Sequence, residues 1–312
     1  MHTILVPPLL CSPAVYASIL DTVWSHGSVA VADTLHDDTI ADMAARILRT
    51  GPARFALLGT SMGGYVALEV VRRAPERVAG LALVSTSARA DSDDQLAARR
   101  RQSRLVEEGH FDALVDAAFP GVVAARNESD PHLLRAWRGM AASVGPRGFL
   151  RQQAATMDRT DARDLLPGIT CPTFVIHGAQ DRLIPPDAGR EIAAAVPTST
   201  LRIVEHAGHF LLLERPDEAT ALVSEFLDAV RRPSGRGVIG GSAGPDRDPV
   251  GPGRAPGDVR GRGVSRDPIA QVPGEGGLPQ YGGGRRGGSH ADGRSPVTGQ
   301  ADTGETRDAT HL

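Results

Sequence analysis

Three residue types that together can perform acyl transfer occur in three separate segments of the chain. Ser61 lies within a Gly-x-Ser-x-Gly pattern at residues 59–63, and Asp181 and His209 follow much later. A serine hydroxyl attacks a carbonyl efficiently only when a base takes its proton, and histidine suits that task at neutral pH. A carboxylate on the second imidazole nitrogen fixes the tautomer and stabilises the imidazolium. The three residues are therefore candidates for a nucleophile, a general base and an orienting acid.

Short apolar segments precede all three residues. Residues 55–58, 173–177 and 200–204 are runs rich in apolar and β-branched side chains, which is the pattern of buried parallel strands. Open α/β sheets place their functional residues in loops at the carboxyl ends of such strands. We therefore expect the three candidates to meet at one edge of a parallel sheet, with a helix over 63–74 starting directly after the serine.

The order of the motifs along the chain carries a family resemblance. A Ser-Met-Gly-Gly elbow occupies residues 61–64, an Asp-x-x-x-Pro turn residues 181–185 and a Gly-His-Phe turn residues 208–210. Together they resemble the serine α/β-hydrolase superfamily over about the first three quarters of the chain, and within it the small bacterial esterase-like members with a short helical cap. The resemblance implies the α/β-hydrolase fold, a mostly parallel sheet flanked by helices with an inserted helical cap. It also implies a Ser-His-Asp triad.

A tetrahedral intermediate needs hydrogen-bond donors for its oxyanion. The backbone N–H of Met62, directly after the candidate nucleophile, is the first expected donor. The family takes a second donor from the loop after the first strand, where most members carry His-Gly and this chain has Pro7-Pro8. Because proline at position 8 has no N–H, we expect Leu9 to be the second donor, with Leu10 as the neighbour that could replace it.

Composition and periodicity divide the chain into four parts. Residues 1–88 and 167–232 are expected to form one α/β-hydrolase core, because strand and helix patterns alternate there. Residues 89–166 lose the strand pattern and are expected to form the inserted helical cap. Residues 233–312 are rich in glycine, proline and arginine and can bury too little apolar surface to offset the entropy of ordering. They are predicted to be a disordered tail.

Hydrophobic periodicity assigns the remaining elements. In the core we expect further strands over 3–6, 29–32 and 78–84 and an amphipathic helix over 39–50. In the cap we expect four short helices, over 95–108, 111–118, 131–143 and 147–156. For any one apolar residue of the cap and loops, packing between cap and core is the simpler role. Four are nevertheless candidates for a substrate pocket: Leu10, Trp137, Met140 and Phe210.

Several residues have competing interpretations. Ser61 could be an unreactive turn serine, and Asp181 could be only a turn former before two prolines. Asp91 is a second candidate acid, because some relatives take the acid from the end of the strand that corresponds to 78–84. It lies several residues beyond the end of that strand, so Asp181 is favoured. His177 is expected to be a packed histidine at a strand end. His206 forms an H-x-x-H with the candidate base, but without a third ligand we expect no metal. The other histidines before residue 233 are expected to be surface or loop residues: His2, His26, His36, His110 and His132.

Composition narrows the function classes. The formal net charge is −3, and no clustering of charge suggests a nucleic-acid or membrane-surface partner. The chain contains no lysine, which excludes a P-loop and a Schiff-base lysine. No stretch has the length of a membrane span or the layout of an export signal. We therefore expect a cytoplasmic protein in which Cys11 and Cys171 are free thiols.

The predicted activity is that of a cofactor-free carboxylic ester hydrolase that acts on a small or medium ester, lactone or thioester through an acyl-enzyme. Acyl transfer and perhydrolysis would use the same triad and stay open. A non-catalytic ligand receptor on the same scaffold is the alternative from another class. Serine at the elbow argues against epoxide hydrolases and dehalogenases of this fold, which need aspartate there. No motif specifies the acid or alcohol group of the substrate, or the oligomeric state.

Overall fold

The strands follow the apolar runs of the sequence. A computed structural model describes residues 1–232, so the predicted tail at 233–312 lies outside the described residues. The strands of the described part are β1 (Thr3–Val6), β2 (Val29–Val31), β3 (Phe55–Thr60), β4 (Val78–Val84), β5 (Thr173–Gly178) and β6 (Ser199–Val204). They form one sheet in the order β2-β1-β3-β4-β5-β6, and every neighbouring pair is parallel. Their carboxyl ends therefore share one edge of the sheet.

Helices and inserted segments connect the strands. The α-helices of residues 1–232 are α1 (Leu20–His26), α2 (Ile40–Thr50), α3 (Met62–Arg73), α4 (Asp93–Glu107), α5 (Phe111–Val122), α6 (Pro131–Met157), α7 (Asp187–Ala195), α8 (Leu211–Glu214) and α9 (Pro216–Arg231). Parallel strands require crossover connections, and the helices provide them.

The sheet is buried on both faces. Leu5 and Leu58 point into one core cluster, which α1 and α9 also line, whereas Ile4 and Leu57 point into a second cluster with α2, α3 and α7. Successive side chains of a strand alternate between faces, so a strand covered on both sides must be apolar at nearly every position. This explains why the strands read as continuous apolar runs in the sequence.

The predicted strands and the two predicted core helices are confirmed, with ends displaced by one or two residues. Helices α1, α7, α8 and α9 have no counterpart among the predicted elements. Helices α1 and α8 have only seven and four residues, too few to establish a period. The signal was present for α9, in which Ala219, Val223, Phe226 and Leu227 recur at helical spacing and are buried.

Helices α4, α5 and α6 lie between β4 and β5, where the sequence predicts a cap. The two helices predicted over 131–143 and 147–156 fall within α6, which has a non-helical φ of 67° at Gly145, followed by Pro146. These two residues break the helix where the sequence pattern breaks. Helix α5 continues past the predicted end at 118 to Val122, through Pro120.

The expectation that His26 is a surface or loop residue is wrong. His26 is the last residue of α1 and is buried, because this helix end packs against α9. Its Nε2 lies 3.1 Å from Oδ1 of Asp228, and its Nδ1 lies 2.8 Å from the carbonyl oxygen of Thr22. Within residues 1–232, no helix combines the length and the hydropathy needed to cross a membrane.

Candidate active site

Ser61 occupies a strained turn between β3 and α3. Its φ of 52° and ψ of −115° are unusual for a residue with a side chain, and such strain persists only where the surroundings enforce it. A Cβ at position 59 would overlap the carbonyl oxygen of Gly63, and a Cβ at position 63 would overlap that of Val6. The two flanking glycines of the motif therefore allow β1, β3 and α3 to approach one another closely around Ser61.

Hydrogen bonds hold the Ser61 backbone on both sides. Its N–H donates to the carbonyl oxygen of Val84 at 2.8 Å, and its carbonyl oxygen accepts from Oγ1 of Thr86 at 2.8 Å. A Cβ at position 64 would overlap the Thr86 side chain, so the fourth residue of the Ser-Met-Gly-Gly elbow must also be small. The end of β4 and the residues directly after it thus fix the elbow, and Ser61 as a whole residue is 8% exposed.

Asp181 lies in the loop after β5, and its carboxylate is buried among donors. Oδ1 accepts from the N–H groups of Leu183 at 3.0 Å and Ile184 at 2.9 Å. Oδ2 lies 2.8 Å from Nδ1 of His209 and 3.2 Å from Nε2 of His177. Burial by itself raises the pKa of Asp181, but the charge of His209 and these hydrogen bonds outweigh it and hold the pKa well below the usual range. Asp181 is therefore an ionised carboxylate with fixed orientation.

His177 is packed, as expected, and it also contacts the candidate acid. The residue is fully buried at the end of β5, and its Nε2 lies 2.8 Å from the carbonyl oxygen of Ile184. That contact assigns the proton to Nε2, which also faces Oδ2 of Asp181. Nδ1 has no hydrogen-bond partner within residues 1–232 and lies against Gly189, where a Cβ would crowd it. Sequence reasoning missed this contact, although a histidine four residues before the acid was the available signal.

His209 lies in the loop after β6 and is 3% exposed. Its Nδ1–H donates to Oδ2 of Asp181, which leaves Nε2 as the nitrogen able to accept a proton. Within residues 1–232 no hydrogen bond joins Ser61 to His209, so the structure brings the acid and the base together but leaves the serine–histidine contact open. Catalytic hydrogen bonds are often long in unliganded enzymes and shorten in the substrate complex.

Glu214 ties the histidine loop to the segment between α5 and α6. Oε1 accepts the N–H of Gly208 at 2.9 Å, while Oε2 accepts the N–H of Ala124 at 2.8 Å and Nδ2 of Asn127 at 2.7 Å. A Cβ at position 208 would overlap the backbone of this inserted segment. Sequence reasoning gave Glu214 no role, because its partners Ala124 and Asn127 lie 90 and 87 positions away.

The acid loop contacts the same inserted segment. The guanidinium group of Arg182, directly after Asp181, contacts the carbonyl oxygens of Pro120 and Val123 and lies 2.6 Å from Oε1 of Glu128. Both loops that follow β5 and β6 are thus held by one stretch of chain.

The loop after β1 makes a turn beside the elbow. The carbonyl oxygen of Pro8 accepts the N–H of Cys11 at 3.2 Å, and Leu10 has a φ of 62°. The N–H of Leu10 donates to Oε1 of Gln152 at 2.9 Å, so it is already occupied. The N–H groups of Leu9 and Met62 make no hydrogen bond within residues 1–232. Of the two neighbours considered for the second oxyanion donor, the structure thus favours Leu9 over Leu10.

The four candidate pocket residues lie in one apolar cluster. Leu10, Trp137, Met140 and Phe210 are all buried and belong to the core that α5 and α6 share with the loops after β1 and β6. The rings of Trp137 and Phe210 meet edge to face with centroids 5.3 Å apart, and Nε1 of Trp137 donates to the carbonyl oxygen of Val115 at 2.7 Å. The Phe210 ring also stacks on His209 with centroids 6.4 Å apart. The surroundings of His209 are therefore apolar on this side.

Asp91, the second candidate acid, has other partners. Its side chain is buried, with Oδ2 at 2.6 Å from Nε of Arg99 and Oδ1 at 2.8 Å from Nη2 of Arg159. The guanidinium group of Arg159 in turn lies over the ring of Tyr65, 4.2 Å from its centroid. These contacts assign Asp91 to an ion-pair cluster and favour Asp181 as the partner of His209.

Comparison with known proteins places this site in a family. A family model described as the alpha/beta hydrolase fold matches residues 22–216, which contain Ser61, Asp181 and His209. A pimeloyl-[acyl-carrier protein] methyl ester esterase of Chromobacterium violaceum is 29% identical over 208 residues, which is 65% of this chain and 80% of that protein.

Solved structures agree with this assignment. A thermophilic esterase from Thermogutta terrifontis superposes with a TM-score of 0.68 at 26% identity, over 74% of this chain and 91% of the esterase. An enol-lactonase from Burkholderia xenovorans superposes with a TM-score of 0.66 at 26% identity, over 73% of this chain and 91% of the lactonase. The chain belongs to the α/β hydrolase fold family, and its relatives include esterases.

Proposed function

We propose that this chain is a serine hydrolase that cleaves a carboxylic ester or lactone through an acyl-enzyme, without a cofactor. The observation that carries the proposal is the buried hydrogen bond of 2.8 Å between Nδ1 of His209 and Oδ2 of Asp181, at the sheet edge where the strained turn presents Ser61. In a purely structural turn, glycine would adopt this positive φ without strain. A serine at this position therefore indicates a need for its hydroxyl group. The ordered donors around Asp181 likewise exceed what a turn former needs.

The proposed reaction begins when Oγ of Ser61 attacks the ester carbonyl carbon and Nε2 of His209 takes the hydroxyl proton. The negative charge of Asp181 stabilises the imidazolium, and the oxyanion accepts hydrogen bonds from the N–H groups of Met62 and Leu9. Collapse of the tetrahedral intermediate breaks the ester C–O bond, and His209 gives its proton to the departing alcohol. Water then repeats the sequence on the acyl-enzyme, which releases the acid and restores Ser61.

The apolar cluster that contains Phe210, whose ring stacks on His209, supports an uncharged substrate. Its members Leu10, Trp137, Met140 and Phe210 offer only hydrocarbon, sulfur and an indole N–H that is already bonded to the backbone. An ionised acyl group would be desolvated there without a partner, which is unfavourable by several kcal/mol. We therefore propose small or medium apolar acyl esters as substrates, consistent with esterase and lactonase relatives.

Hydrolysis of p-nitrophenyl acetate and butyrate by the wild type and by Ser61→Ala tests the proposal. Ser143→Ala is the matched control, because Ser143 is exposed on α6 and bonds only to a helix carbonyl. We expect kcat/KM to fall at least about a thousandfold in Ser61→Ala and to be unchanged in Ser143→Ala. Equal rates in the wild type and Ser61→Ala would refute the role of Ser61.

Two further measurements separate the alternatives that share the triad. Adding competing alcohols or hydrogen peroxide and identifying the products distinguishes hydrolysis from acyl transfer and perhydrolysis. A ligand receptor on this scaffold would give a few turnovers at most, so a sustained kcat above about 1 per second would exclude it.

A further inference from the structure

The side chain of Gln152 joins the inserted helix α6 to the loop after β1. It is fully buried, its Oε1 accepts the N–H of Leu10 at 2.9 Å, and its Nε2 donates to Oγ1 of Thr34 at 3.2 Å. Because both ends of the amide have partners, the orientation of its oxygen and nitrogen is fixed. Gln152 is distant from the rest of the site in sequence, and no motif indicates it.

The bond from Leu10 holds a backbone conformation that the residue would otherwise avoid. Leu10 has a φ of 62° at the third position of the turn from Pro8 to Cys11, where glycine is the usual residue. A non-glycine residue in this region is strained and needs support from its surroundings. Without the acceptor on Gln152, the peptide between Leu9 and Leu10 is free to rotate toward the ordinary turn. That rotation would shift the adjoining Leu9, whose N–H the proposed mechanism uses.

The packing of Leu10 links it to the same helix. Its side chain belongs to the same apolar cluster as Trp137 and Met140, which lie on α6 before the break at Gly145, whereas Gln152 lies after it. The direct link between α6 and the turn is therefore the buried hydrogen bond from Leu10 to Gln152. A small displacement of α6 would change the position of the turn.

We infer that Gln152 is a positioning residue for the oxyanion hole. Through its hydrogen bond to Leu10, the position of the inserted helix α6 determines the position of the second oxyanion donor. The inference rests on the proposed function, in which Leu9 is that donor. Gln152 does not touch the substrate in this scheme. It acts by occupying the Leu10 N–H and fixing the turn in which the Leu9 N–H remains available.

The test compares Gln152→Met and Gln152→Asn with Gln152→Glu. Methionine keeps the volume but removes the acceptor, asparagine withdraws it by one methylene group, and glutamate keeps an acceptor oxygen toward Leu10. Gln153→Met and Gln153→Asn are matched controls, because Gln153 is equally buried on the same helix but bonds to Arg99 and Gln102. Thermal melting establishes which variants fold, and Gln152→Asn carries the test if Gln152→Met does not.

We expect kcat to fall about tenfold or more in Gln152→Met and Gln152→Asn with KM changed less than about twofold, since a displaced oxyanion donor acts on the transition state. Affinity for a trifluoromethyl ketone, which mimics the tetrahedral intermediate, should fall by a similar factor. Gln152→Glu should retain most of the wild-type kcat, and both Gln153 variants should retain nearly all of it. A kcat within twofold of the wild type in the first two variants, or an equal loss in the Gln153 variants, would overturn the inference.

Hydrogen exchange at the Leu10 amide gives a readout independent of activity. We expect slow exchange in the wild type and in Gln152→Glu, and at least about tenfold faster exchange in Gln152→Asn. Equal exchange in all three would show that the bond does not hold the turn, and would overturn the inference even in an active enzyme. If hydrolysis is independent of Ser61 while the exchange rates differ as expected, the proposed function has failed. The hydrogen bond between α6 and the turn would then have a structural role but no role in catalysis.

Discussion

Replacing Asp181 with asparagine separates the two tasks of this carboxylate. In Asp181→Asn the amide oxygen can replace Oδ1, which accepts the N–H groups of Leu183 and Ile184. The amide NH₂ then replaces Oδ2, where it meets the Nδ1–H of His209 and the Nε2–H of His177. Two donors facing each other cannot bond, so His209 shifts its proton to Nε2. The nitrogen that should accept the Ser61 proton is then already protonated.

The expected losses differ between activity and stability. With the wrong tautomer, kcat should fall about 10⁴-fold, equivalent to about 5 kcal/mol in the activation free energy. Asp181→Ala should lose a similar factor in kcat, because it also removes the acceptor from His209. Its free energy of unfolding should be lower than that of Asp181→Asn by about 2 kcal/mol, since it forfeits two backbone hydrogen bonds to a neutral oxygen, worth about 1 kcal/mol each.

The assay is ester hydrolysis beside urea unfolding on the wild type and both variants, with Asp187→Asn as the control. Asp187 is an exposed acid in the first turn of α7, six residues further along the chain. The reasoning is refuted if Asp181→Asn keeps kcat within tenfold of the wild type, or if asparagine and alanine destabilise the fold equally. The first result would show that Asp181 has no role in the mechanism. The second would show that its hydrogen bonds to the backbone do not stabilise the loop.

The pH dependence of stability follows from the same contacts. The folded protein holds the pKa of Asp181 below its value in the unfolded chain, which is about 4. The carboxylate therefore stabilises the fold fully above that pH, and the contribution is lost as the pH falls toward the folded pKa. Asparagine does not titrate. We expect the difference in unfolding free energy between wild type and Asp181→Asn to shrink as the pH falls below about 4. A difference that widens in acid would contradict the assigned direction.

Three other changes have defined outcomes. Gly63→Ala places a methyl group against the backbone of β1, so the unfolding free energy should fall by about 3 kcal/mol or more. The control is Gly139→Ala on the exposed face of α6, which should be neutral or slightly stabilising. Urea unfolding measures both. Glu214→Gln puts an amide NH₂ against a backbone N–H and loosens the loop at Gly208. We expect kcat to fall about tenfold and the melting temperature to be lower. An unchanged kcat would show that this loop contact does not contribute to catalysis. Deletion of 236–312, which lies outside the described residues, should leave esterase activity and melting temperature nearly unchanged, and a large loss of either would refute the tail prediction from composition.

The fold and the candidate triad could be predicted from the sequence because both have local signals. A strand buried on both faces must be apolar throughout, so β1, β3 and β5 are visible as runs of apolar residues. The elbow is visible because its glycines are required by sterics within a few residues of Ser61. Parallel strands then bring their carboxyl ends to one edge, so the end of each strand predicts which residues meet. Short helices such as α1 escaped this reasoning because seven residues carry too little periodicity.

The contacts that hold the site are visible only in the folded chain. The choice between Leu9 and Leu10 depends on the Leu10–Gln152 bond, which joins residues 142 positions apart. The contact of Glu214 with the segment before α6 spans 90 positions. A single hydrogen bond between distant segments leaves no period and no composition bias in either one, because its geometry exists only after the helices have packed. Residue type and spacing therefore suffice to name candidate residues, whereas their positioning by long-range packing leaves no signal in the sequence.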